Sequence, residues 1–203
     1  MRLPVLLQLL PAALLALTFG SSAPAASLTV RVVDQSALAV GDAVVYAVPT
    51  GTVPATRTPV AAEIAQEKLT FIPLVTVVQA GGSVTFPNRD TVRHHVYSFS
   101  PTRIFELRLY AGLPATPVVF DKPGLVVLGC NIHDRMVAYV MVVDTPWYGR
   151  TAANGQLKID ALPPGDYKVS VWNPRMPVQG APKTVTVSSD TTVDMAVELK
   201  SAS

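Results

Sequence analysis

Three residue types that bind soft metals stand close together in the middle of the chain. Cys130 is followed by His133 and Met136 in the run Cys130-Asn131-Ile132-His133-Asp134-Arg135-Met136. Steps of three residues place a thiolate, an imidazole and a thioether on one short segment. The sequence holds one cysteine and three histidines, at 94, 95 and 133. A second imidazole can come from the segment carrying His94 and His95. Adjacent residues on a strand point to opposite faces, so only one of that pair can readily join Cys130 and His133. Two imidazoles, one thiolate and a weak thioether suit copper in both of its oxidation states. Zinc commonly takes four strong N, S or O donors and has little use for a thioether. Haem attachment needs two cysteines ahead of a histidine. The competing reading is a buried, inert cysteine near hydrogen-bonded histidines.

The elements that must hold these residues read as β-strands. Apolar runs are short, and 18 prolines and 12 glycines punctuate them, a texture of strands and turns. Strands are expected at 28–33, 43–48, 65–71, 75–78, 83–86, 92–99, 118–120, 125–128 and 137–143. Four more are expected at 155–162, 166–172, 183–187 and 192–199. No long helical period of apolar residues occurs after the first 25 residues. At most one short helix or turn is expected, at 103–109. The ligand candidates then lie on a strand that bears His94 and on a loop between strands that bears Cys130.

The chain has 203 residues, of which 49% are hydrophobic and 15% charged, with a formal charge of +2. That is enough apolar material for one or two cores. No basic stripe of the kind that binds nucleic acid is present. Residues 1–25 have the layout of a secretory signal peptide: Arg2, an interrupted apolar run, then small residues with Ala23 and Ala25 at cleavage spacing. The expectation is export to the periplasm, with no membrane span in the mature chain. Removing Arg2 takes the basic count from 16 to 15, against 14 acidic residues. A single cysteine cannot form an internal disulfide in an oxidising compartment, so burial or a metal must protect it.

At this point the residues resemble the cupredoxin family of blue copper proteins. Phe71-Ile72-Pro73, Val77, Gly82, Val84-Thr85-Phe86-Pro87-Asn88, Asp90 and His94 look like its first half. The loop from Cys130 through His133 to Met136 is similar in spacing to the short ligand loop of amicyanin. Taken together, the segments at 94–100 and 128–134 look like periplasmic proteins labelled methylamine utilization proteins. The resemblance covers residues 61–144. It implies a Greek-key β-sandwich and one type 1 copper ion, with His94, Cys130, His133 and Met136 as ligands. It also implies His95, Asn88 and Asn131 as supporting residues, with the His95 backbone N–H donating to the Cys130 sulfur. His95 stands where amicyanin-like proteins have an asparagine.

The flanks resemble something else. Residues 30–48 and 151–199 look like the two halves of a prealbumin-type, carboxypeptidase-regulatory-like β-sandwich. The expectation is a signal peptide at 1–25, a discontinuous sandwich at 27–60 and 145–200, and a cupredoxin domain at 61–144 inserted within it. An elongated cupredoxin N-terminus with a separate C-terminal module is the alternative.

The resemblance implies a one-electron carrier whose electrons leave through the His133 edge, with a dehydrogenase or cytochrome c as redox partner. Copper sequestration or delivery would use the same residues. An extracytoplasmic carbohydrate-binding or adhesion role is the third reading, with Trp147, Tyr148 and Trp172 as a possible aromatic platform. An enzyme is not expected, because multicopper oxidases and copper nitrite reductases need more histidines than three.

Overall fold

The computed structural model describes residues 25–52, 59–114 and 116–201. Residues 1–24, which carry nearly all of the expected signal peptide, lie outside the described residues. The described chain is all-β. It opens with β1 (Ala26–Val33) and β2 (Val44–Pro49). The middle contains β3 (Ala62–Glu63), β4 (Ala65–Glu67), β5 (Thr70–Ile72), β6 (Val75–Gln79), β7 (Gly82–Thr85) and β8 (His94–Ser100). It continues with β9 (Arg103–Tyr110), β10 (Val118–Phe120), β11 (Gly124–Gly129) and β12 (Val137–Val143). The chain closes with β13 (Tyr148–Arg150), β14 (Gln156–Leu162), β15 (Gly165–Trp172), β16 (Lys183–Val187) and β17 (Thr191–Ala196).

Strands from the two ends of the chain pair with each other. β1 lies between β14 and β17, antiparallel to the first and parallel to the second. β2 lies between β13 and β15, and β16 flanks β15. The two-residue period of β1 explains the layer. Leu28, Val30 and Val32 turn inward and are fully buried. Arg31 turns outward onto Asp194, 2.6 Å away. Facing residues Val45, Ala47, Tyr167, Val169 and Val187 complete one hydrophobic core.

Residues 62–143 form a second sandwich. One sheet has the order β10-β7-β3 and the other β6-β12-β11-β8-β9. Val84 and Phe120 from the first face Val96, Val126, Leu128, Ala138 and Val140 from the second. Burying a side chain the size of Phe120 contributes roughly 1.5–3 kcal/mol, and Phe86 and Phe120 are both fully buried here. A third cluster joins the sandwiches. Val44 and Trp172 of the outer pair meet Val75, Met141 and Val143 on the outer face of the five-stranded sheet. The Trp172 ring lies 5.5 Å from that of Tyr139.

Three expectations change. The segment 103–109 is neither helix nor turn but most of β9, hydrogen-bonded along β8. Its alternation of half-buried and exposed residues is that of a strand with one solvent face, which Ile104, Phe105 and Leu107 obscure in the sequence. The single strand expected at 65–71 is a hairpin, β4–β5, with Glu67 opposite Thr70. Lys68 and Leu69 form its turn, both with positive φ. A two-residue hairpin turn needs that conformation and usually recruits Asn or Gly for it; neither is present. Trp147 and Trp172 are buried, so they form no exposed platform with Tyr148.

One acidic residue staples the start of β1. Asp190, in the turn before β17, accepts from both the Ser27 amide and the Ser27 hydroxyl, each at 2.9 Å. Those bonds hold its carboxyl below the ordinary range. Its contribution is therefore present above the unfolded-state pKa of about 3.9 and lost as pH falls through the lower folded value. Asp190→Ala should lower the melting temperature at neutral pH. In melts taken from pH 7 to pH 2, the gap between variant and wild type should stay constant to about pH 4 and close below it.

Candidate metal centre

The residues that could hold a metal come from two loops at one end of the middle sandwich. His94 opens β8, immediately after the loop that leaves β7. Cys130 follows the last residue of β11, and Met136 precedes the first residue of β12. Between them the chain turns tightly, the Met136 amide donating to the His133 carbonyl at 2.9 Å. The Cys130 sulfur lies 4.0 Å from His94 Nδ1 and 3.8 Å from His133 Nδ1. The two imidazoles meet edge to face, with centroids 5.0 Å apart. His94 is fully buried, Cys130 and Met136 are buried, and His133 is half-buried. His133 is thus the ligand candidate with the most access to solvent among these four.

The alternation of β8 sorts the histidine pair. His94 shares the inner face with Val96, which belongs to the core around Cys130. His95 shares the outer face with Tyr97, and their rings lie 5.8 Å apart. Its Nε2 is 3.1 Å from Glu106 Oε1 but outside hydrogen-bond geometry. The methionines sort in the same way. Met136 packs in the core cluster that contains Cys130, whereas Met141 lies in the contact between the two sandwiches. Met195 and Met176 belong to the other core.

Supporting side chains hold the first ligand loop. Asn88 is buried, and its Nδ2 donates to the carbonyls of Val92 and Tyr110, both at 2.9 Å. Its Oδ1 accepts from the Asp90 amide at 2.9 Å. Asn88 therefore fixes the loop against the end of β9. Asp90 accepts from the ring of His94, Nε2 to Oδ2 at 2.8 Å. It also accepts from the amides of Lys68 and Leu69, at 2.6 and 3.0 Å. Partial burial works to raise the Asp90 pKa, but the bonds from Leu69, His94 and Lys68 outweigh it and hold the carboxyl below its ordinary range. Asn131 is exposed and borders an open cleft with His95, Tyr97 and Glu106.

A buried polar pair lies beneath. Tyr110 donates to the Phe86 carbonyl at 2.7 Å and accepts a short hydrogen bond from Gln66. Burial pushes the Tyr110 phenol up to about 12, against the Gln66 bond and aided by the nearby Cys130. Sequence reasoning assigned no role to Asp90, Gln66, Tyr110 or Glu106. Asp90 carried a signal, since it stands four residues before His94 in the same loop. Gln66 and Tyr110 lie 44 residues apart and carried none.

The donor set fits a metal ion. Cys130, His94 and His133 each offer a donor atom, all within 4.8 Å of one another. Spacings near 4 Å are what three bonds of roughly 2.0–2.3 Å to one ion span. His94 Nε2 is engaged by Asp90, so its Nδ1 is the nitrogen left for a metal. One thiolate and two imidazoles, with a thioether packed in the same core, favour copper over zinc.

No protein-family model and no curated protein matches the chain. Solved structures do. A purple cupredoxin from Nitrosopumilus maritimus aligns at 22% identity over 40% of this chain and 99% of its own, with TM-score 0.36. Amicyanin from Paracoccus versutus aligns at 19% identity over 48% of this chain and 98% of its own, with TM-score 0.36. A copper-containing nitrite reductase from Thermus scotoductus aligns at 22% identity over 47% of this chain, with TM-score 0.39. This chain spans only 25% of that enzyme. Likeness at this level leaves the assignment of the site to its own geometry.

Tyr110→Phe should remove the hydroxyl that bridges Gln66 and the Phe86 carbonyl, leaving them only the longer direct bond from Gln66 Nε2 to that carbonyl, at 3.3 Å. The loss should be about 1–3 kcal/mol. A lower urea midpoint with an unchanged slope would show it.

Proposed function

We propose that this chain is an exported, periplasmic blue copper protein that carries single electrons, with His94, Cys130, His133 and Met136 as ligands of one type 1 copper ion. The observation that carries the reading is the convergence of a buried thiol and two imidazoles, at 3.8 and 4.0 Å, at the loop end of an all-β sandwich. A copper ion bound there would supply reversible one-electron chemistry. The protein's part is to present the donors in one arrangement to both oxidation states. Asn88, the Tyr110 carbonyl and the Asp90 carboxylate serve that end by tying the His94 loop to its neighbours.

His133 is the route proposed for electrons, because it alone of the four is half-buried. Leu69, Val92 and Ile132 are large apolar side chains left exposed on the loops of that end. They offer a redox partner, a dehydrogenase or a cytochrome c, an apolar contact around the imidazole edge. An amine dehydrogenase is one such donor, suggested only by the sequence resemblance of residues 94–100 and 128–134 to proteins labelled methylamine utilization proteins. The flanking strands 27–60 and 145–200 are proposed as one sandwich that carries the copper domain, 61–144, as an insertion.

Copper delivery would use the same ligands, and metal retention separates the two. An electron carrier cycles between oxidised and reduced forms repeatedly without losing copper to a chelator. Loss of metal on each reduction would assign delivery instead. The axial ligand has its own test. Met136→Gln should keep a coloured site while lowering the reduction potential, because an oxygen donor favours Cu(II). Met141→Gln should leave the potential unchanged, since that side chain packs between the sandwiches. The reverse pattern would move the axial position away from Met136.

A further inference from the structure

Asp90 is a carboxylate with three donors converging on it. His94 Nε2 and the Leu69 amide approach Oδ2, at 2.8 and 3.0 Å, and the Lys68 amide approaches Oδ1 at 2.6 Å. Its own amide is held by Asn88 Oδ1. An ionised carboxylate offers acceptors alone, so it satisfies all three. An amide of the same shape would turn an N–H toward one of them. The two amides come from the β4–β5 turn, where Lys68 and Leu69 have φ of 54° and 58°. Side chains are disfavoured in that conformation. The turn's amide bonds to Asp90 offset part of that cost and explain how it forms without Asn or Gly.

We propose that Asp90 is the positioning residue of the metal centre. It fixes His94 as the Nε2–H tautomer, aims the Nδ1 lone pair at Cys130, and places a negative charge beside the ligand that favours the more highly charged copper ion. The inference rests on the copper reading for its second half only, since the tautomer belongs to the metal-free chain. The geometry is specific. His94 is fully buried, so no water competes for Nε2. Its ring is gripped at one nitrogen by Asp90 and faces the sulfur with the other. Carboxylates paired in this way with a metal-binding imidazole orient the ring and raise its basicity. The charge is anchored from the far side by the β4–β5 turn, so that the hairpin is a support for the site.

Two measurements test it. Long-range nitrogen–proton NMR on the metal-free, full-length protein should show His94 as a single Nε2–H tautomer with a slowly exchanging ring proton. A mixture of tautomers, or an Nδ1–H form, would overturn the proposal without any variant. Asp90→Asn then separates charge from fold, with Asp90→Ala beside it and thermal melts on both. Asp90→Asn should weaken Cu(II) binding roughly tenfold or more while changing Cu(I) binding less. A tenfold change in that ratio raises the reduction potential by about 59 mV for one electron. Unchanged Cu(II) affinity and potential in a folded Asp90→Asn would contradict the proposed role of the charge. If wild type itself binds no copper, the copper reading falls, and the NMR result still decides the tautomer.

Discussion

The arrangement of the candidate site depends on how the loop between β7 and β8 is held. That loop must deliver an imidazole into a hydrophobic core beside a thiol, with no water to satisfy its polar atoms. Buried polar groups are costly unless paired, and here the pairing is done by two neighbours on one turn. Asn88 spends its side chain on backbone carbonyls and on the Asp90 amide. Asp90 spends its side chain on His94 and on the adjoining hairpin. Each bond limits where the next residue can go, and the end of the chain of constraints is the direction of one nitrogen. Cys130 and Met136 need less support, because one follows β11 and the other leads into β12, and the pairing of those two strands already places them.

The two sandwiches serve this arrangement differently. The inner one supplies the core under Cys130 and Met136. The outer one covers part of the five-stranded sheet through Trp172 and Val44. It leaves the ligand loops at one end and the face carrying Tyr97 and Phe99 open. The join is apolar and includes aromatic contact, so it fixes one body on the other more firmly than a few surface bonds would.

Much of this was legible in the residues. The strands expected at 75–78, 83–86, 118–120, 125–128 and 137–143 match β6, β7, β10, β11 and β12 to within a residue or so, because each is a short β-prone run bounded by turn residues. The ligand candidates were visible because Cys130, His133 and Met136 are spaced on one loop, and the fold brings Cys130 and His133 together with His94. The opposite faces of His94 and His95 followed from the period of a strand. What stayed hidden depended on partners far away in the chain. The β4–β5 turn breaks a local rule, and its compensation, Asp90, lies about 20 residues on. β9 looked ambiguous because its apolar residues occupy both faces. Trp147 and Trp172 could not be placed without knowing which surfaces the two sandwiches share.

The central claim is that Cys130, as a thiolate between two imidazoles, binds copper in the type 1 manner. Visible absorption and EPR of the Cu(II)-loaded protein, with Cys130→Ala alongside, test it most directly. The account predicts one copper per chain, an intense thiolate-to-copper charge-transfer band with narrow copper hyperfine splitting, and loss of both in Cys130→Ala. A pale protein with the wide splitting of a tetragonal nitrogen and oxygen site, or colour that survives in Cys130→Ala, would contradict it.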